Sequence, residues 1–144
     1  MSVESSIGTT FFVSAAFPTA ETVVAYELLA WTQVGEVTDY GDIGSTTELL
    51  DHTPVETGVT EKVYGVRNEN GYPLKIAQDS GDAGQVILST AYDARAFVST
   101  KLVEVGGATE YSKSAIAGLP VNIGSASNTK VISVDLMISG AKVK

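Results

Sequence analysis

The side chains in this 144-residue chain that could do chemistry are few and thinly spread. The single histidine, His52, follows Asp51, and an Asp–His pair can orient an imidazole as a general base. Adjacent residues of an extended chain point to opposite faces, however, so the two are badly placed to bond each other. No G-x-S-x-G elbow supplies a serine for such a base to activate. Paired carboxylates occur as Asp39/Asp42 and Asp79/Asp82. The loop Asp79-Ser80-Gly81-Asp82 offers oxygens to a hard cation, but it lacks EF-hand spacing and a terminal bidentate Glu. Asp82 is better read as a helix N-cap. Gly81-Asp82-Ala83-Gly84 has neither the spacing nor the lysine of a phosphate-binding loop, and it puts an acid where a phosphate would lie. With no cysteine there is no thiolate nucleophile, disulfide frame or zinc-finger site. The expectation is a chain that is not an enzyme and needs no metal or cofactor.

The elements that would position these residues are mostly short strands. Thr9 to Ala16 alternates, with Phe11, Val13 and Ala15 on one side and Phe12 opposite. Tyr72 to Gln78 points Tyr72, Leu74 and Ile76 one way. Asn128 to Gly140 is the clearest strand, with Ile132, Val134, Leu136 and Ile138 on one face. Arg95 to Val105 and Thr109 to Ile116 read as a hairpin turned by Gly106-Gly107-Ala108. Trp31 to Thr38, with Gly35 as a possible bulge, and Val59 to Val66 alternate more weakly. Asn68-Glu69-Asn70-Gly71 reads as a turn. One helix stands out at about residues 82–93. Asp82 caps it, Gln85 lies at capping-box spacing, and Val86, Ile87, Thr90 and Ala91 form its apolar stripe. Thr22 to Trp31 fits helix or loop-plus-strand equally.

A long segment of about residues 39–58 has little pattern. It is rich in Gly and Thr, carries Asp39, Asp42, Glu48, Asp51 and Glu56, and holds no base. Loops of this length are uncommon in compact domains unless functional or disordered. Two compatible readings are a hidden strand near Glu48 to Thr57 and a protruding hairpin that orders against a partner. The whole is a mainly β chain: one domain over residues 1–144, a β-sandwich or barrel with one flanking helix and one long loop.

Charge narrows the function. Acids outnumber bases 17 to 9, a net charge of −8. Residues 1–72 hold eleven acids and two bases, whereas residues 73–144 hold six acids and seven bases. A generic nucleic-acid clamp needs the opposite sign. Met1-Ser2-Val3-Glu4 lacks the basic region of a secretory signal, and the uncharged stretch Ser5 to Ala20 is too polar to span a bilayer. The expectation is a soluble protein that does not bind membranes.

The order of segments resembles the tail tube (major tail) proteins of long-tailed bacteriophages and related gene-transfer particles. The resemblance rests on Trp31-Thr32-Gln33-Val34-Gly35-Glu36-Val37-Thr38-Asp39-Tyr40-Gly41, the step Asp51-His52-Thr53-Pro54, the capped helix, and a last strand ending Met137-Ile138-Ser139-Gly140. It implies a virion structural protein of the viral tail, made in the host cytoplasm before assembly. Its partners would be itself, in hexameric rings stacked into a tube, and other tail proteins at the tube ends. DNA would be a cargo that passes during ejection without sticking. By position, residues 39–58 correspond to the family's inter-ring or inter-subunit loop, which makes Asp39, Asp42, Glu48, Leu49, Leu50, Asp51, His52 and Glu56 the contact candidates. The N-terminal arm and the C-terminal tail also join contacts in that family. Alternatives are a free-standing β-sandwich that binds sugar or protein through Trp31 or its tyrosines, and the inner tube of a contractile tail or secretion system.

Overall fold

The computed structural model describes residues 7–69, 71–124 and 129–144. Met1 to Glu4, the turn residue Asn70 and the expected strand start at Asn128 lie outside them. In chain order the elements are β1 (Thr10–Ser14), α1 (Val23–Glu27), β2 (Thr32–Val34), β3 (Val37–Asp39), β4 (Ser45–His52), β5 (Glu61–Glu69), β6 (Tyr72–Ala77), α2 (Ala83–Ala94), β7 (Phe97–Val103), β8 (Thr109–Gly118), β9 (Val121–Asn122) and β10 (Val131–Val143). The main sheet runs β2-β1-β7-β8-β10-β6-β3, with β9 added against β10, and β4 and β5 form a separate two-stranded sheet.

Trp31 to Thr38 is two strands rather than one bulged strand. β2 pairs with β1 at one edge of the main sheet, and β3 pairs with β6 at the other. Only Gly35 and Glu36 separate them, so the chain itself draws the two edges together and curls the sheet into a half-barrel. Glu36 adopts φ 59° at this corner, and its carbonyl accepts from the Ala77 amide at 2.9 Å.

The alternation read from sequence fills the curl. Phe11, Val13, Tyr72, Leu74, Ile76, Val98, Leu102, Val134 and Leu136 are buried together, with Ile132 and Ile138 packed against them. Phe11 and Tyr72 meet edge to face at 5.3 Å. Polar groups inside are matched to one another. The Thr100 and Ser112 hydroxyls lie 2.6 Å apart, and Ser112 donates to the Tyr72 hydroxyl at 3.4 Å. Burial, first of all, pushes the Tyr72 phenol up to about 12.

Asp82 caps α2 as expected. Its Oδ2 accepts from the Gln85 amide at 3.0 Å and also from the Gly35 amide at 3.2 Å, which ties the helix to the β2–β3 corner. Gln85 does not close a capping box. Its side chain instead accepts from the Asp79 amide at 3.0 Å and donates to the Ala77 carbonyl at 3.0 Å. The expected apolar stripe holds at Ala91, which is buried, and at Ile87, which packs against the core. Gly84, Leu88 and Ala91 face the core, and Gly84 is required because a Cβ there would stand 2.5 Å from the Gln33 carbonyl oxygen. Val86 and Thr90 are exposed. Thr22 to Trp31 resolves into α1, capped by the Thr22 hydroxyl, followed by a short connection.

Residues 39–58 are not a patternless loop. Asp39 ends β3, residues 40–44 connect, and β4 runs from Ser45 to His52 rather than from Glu48 to Thr57. Its partner β5 begins at Glu61, two residues later than the expected Val59, and runs on through Asn68 and Glu69, which were expected in a turn. At Gly71 the chain passes so close to β10 that a Cβ would stand 1.7 Å from the Leu136 carbonyl oxygen. The ladder between β6 and β10 ends here, at Tyr72 opposite Leu136, and β5 continues outward paired with β4.

Candidate assembly surface

The β4–β5 hairpin buries almost nothing of itself. Every residue of β4 is exposed, and of β5 only Gly65 and Glu69 are partly covered. Its register places Leu49 opposite Tyr64 and Leu50 opposite Val63, on opposite faces because neighbours on a strand alternate. These four are 53%, 82%, 49% and 53% exposed, so both faces of the ribbon present an apolar pair to solvent. An isolated two-stranded hairpin is marginal in water. This one is held by local pairs. Lys62 bonds Asp51 across the strands, Arg67 meets Glu69 at 3.3 Å, and the Thr53 and Thr60 hydroxyls lie 2.9 Å apart where the tip begins. The tip turns through a Gly58 amide to Pro54 carbonyl bond of 2.8 Å, with Gly58 at φ 66°, and leaves Val55 fully exposed.

Six of the eight residues expected in the contact segment lie on the hairpin: Glu48, Leu49, Leu50, Asp51, His52 and, at its tip, Glu56. Asp39 and Asp42 lie at its root, where the Asp39 carboxylate accepts from the Gly41 amide at 2.8 Å. Asp51 faces Lys62 and His52 faces Glu61 in the register, so the neighbouring pair points apart. Asp79 and Asp82 are likewise committed to backbone amides, those of Gly81, Gln85 and Gly35. Among the described residues no three His, Cys, Asp or Glu side chains gather as metal ligands. No helix of the described chain is long and apolar enough to cross a membrane.

The root of the hairpin is fixed by a residue that sequence patterning did not single out. The Lys142 side chain, only 3% exposed, lies 3.5 Å from the Glu110 carboxylate, donates to the Gly44 carbonyl at 3.5 Å and covers the Tyr72 ring at 5.3 Å. A lysine near a C-terminus ordinarily reads as solvated, and only the register of β10 against β8 turns it inward. Trp31, the candidate for ligand stacking, is also engaged internally. Its indole N–H donates to the Tyr26 carbonyl at 2.9 Å, and Tyr26, Trp31 and Tyr111 form one aromatic cluster under α1, with the Lys101 ammonium 5.9 Å from the Trp31 ring.

No protein-family model and no curated protein sequence matches the chain. Its fold does match solved structures. The tail tube of phage SPP1, determined as a hybrid of solid-state NMR and cryo EM, superposes with a TM-score of 0.63 at 15% identity, over 93% of this chain and 75% of that one. The chain has the fold of a phage tail tube protein. A structure of the phage p2 baseplate in its activated conformation with Sr matches too, with a TM-score of 0.50 at 16% identity, over 89% of this chain and 44% of that one. A tail-tube fold agrees with the mainly β architecture and single long helix expected from sequence.

Proposed function

We propose that the chain is the structural subunit of a phage-like tail tube, assembling as hexameric rings that stack into a hollow conduit for DNA delivery. The observation that carries this reading is the hairpin: a ribbon with apolar pairs on both faces, rooted by Lys142 and projecting from a tail-tube fold. Unpaired edges and exposed apolar strands are aggregation hazards in a monomer and become contacts in an ordered assembly. The charge supports the conduit. Cations that neutralise phosphates add affinity through counterion release, and a wall of net −8 subunits offers few of them. Lys62, Arg67, Lys142 and Lys144 are already paired with carboxylates of their own chain. Like charge also keeps free subunits apart before assembly.

The internal commitment of Trp31 argues against a sugar-binding module built on it. Sedimentation of the purified protein across a concentration series tests the proposal. Fast-sedimenting rings or tubes above a threshold concentration are expected, whereas a monomer at every concentration and salt would contradict it.

A further inference from the structure

Two unpartnered features lie at opposite ends of the main sheet. The register places the start of β1, the end of β7, the start of β8 and the end of β10 at one end, where Thr10 faces Val103 and Val143 faces Tyr111. β6 begins opposite Leu136, part-way along β10, and runs from there towards Val131, so β5 and the hairpin before it extend the other way, towards the Val143 end. At the other end, α2 and the chain around Phe17 and Phe97 enclose an apolar cleft of about 420 Å³. Val86, Ile87, Thr90 and Ala91, the apolar stripe expected of α2, line its helical wall. Lys113 stands at its edge, its ammonium 5.5 Å from the Phe17 ring and 4.7 Å from the Phe97 ring. It has no carboxylate partner among the described residues.

We propose that the hairpin tip of one copy seats in this cleft of the next copy, with Val55 entering the apolar space and Glu56 meeting Lys113. The tip has the matching chemistry: a fully exposed valine beside an acid, whereas Asp51 and Glu69 on the same hairpin are already paired. The hairpin leaves the sheet in the direction away from Phe97, so its tip does not reach its own cleft. The contact is therefore made between copies. It is also heterologous, tip to cleft, so each copy leaves a tip and a cleft free and the stack can lengthen without closing. This docking rests on the tube-subunit reading and specifies its axial contact.

The chain has no cysteine, so an engineered pair reports without background. The double variant V55C/A94C places one thiol on the exposed tip and one on the cleft wall. Oxidised after assembly, it is expected to give a ladder of covalent multimers on a non-reducing gel, and none from dilute monomer. E56K and K113E are each expected to raise the critical concentration about tenfold. Combined, they should restore it to near the original value, with the monomer's melting temperature unchanged throughout. Tubes that form normally from V55C/A94C without a ladder, and from E56K at an unchanged critical concentration, would overturn the docking and leave the tube reading standing. A ladder absent because another segment protects the cleft in tubes would overturn it equally. If the unmodified chain forms no rings or tubes at all, the tube reading itself falls.

Discussion

Gly71 is held by space rather than by backbone conformation. With a Cβ only 1.7 Å from the Leu136 carbonyl oxygen, even alanine must push β6 away from β10 at the point where the hairpin leaves the sheet. Gly71→Ala is expected to cost about 3 kcal/mol in urea unfolding, at the upper end of overpacking penalties. Tyr72, beside it, makes stability depend on pH. Its phenol titrates at 10.0 when unfolded and at about 12 when folded, chiefly through burial, with Glu110, Glu69 and Glu104 adding to the rise and the Ser112 hydroxyl opposing it. The folded state thus favours the protonated form. The associated stability is complete below pH 10 and is lost as pH rises towards 12, by about 3 kcal/mol in all. Burial also raises Tyr26, Tyr40 and Tyr111, so tyrosinate absorbance should show several late-titrating phenols, and Tyr72→Phe should remove one of them and flatten the stability profile in that window.

At the level of elements, the body and the hairpin are energetically separable. The hairpin contributes no residue to the core cluster, and Ser45 and Glu69 face each other at its root. Replacing residues 45–69 by a short Asn-Gly turn should leave a body whose unfolding free energy changes by only about 1 kcal/mol, a scale typical of exposed substitutions and local pairs. A larger loss would mean that the hairpin supports the fold. This excision differs from one based on pattern alone, which would remove β4 and strand β5 without a partner.

The sequence makes legible those strands whose two faces differ. β6 and β10 alternate because one face is buried, and α2 starts where Asp82 can cap it. Both faces of β4 are wet, so Leu49 and Leu50 stand side by side and no period of two survives. The β2–β3 corner is hidden for another reason. Whether Gly35 bulges one strand or separates two depends on where β1 and β6 lie, and that is set far away in the chain. Of the assembly surface, the acidic hairpin residues were readable as a segment. The cleft was not, because the stripe of Val86, Ile87, Thr90 and Ala91 has the spacing of a core face and serves partly as one.

For the whole molecule, charge and shape act together. In the proposed tube the hairpin and the cleft are the two ends of each subunit, and a net charge of −8 would keep phosphate from adhering to the wall. Fluorescence anisotropy with labelled duplex DNA is expected to show no binding even at low salt, where electrostatic attraction would be strongest. Saturable binding would contradict the non-adhesive wall. The most direct test of the account is negative-stain microscopy of the concentrated intact chain beside the chain with residues 45–69 excised. Hollow tubes are expected from the first and only unstacked rings or monomers from the second. Tubes from the excised chain, or none from the intact one, would contradict it.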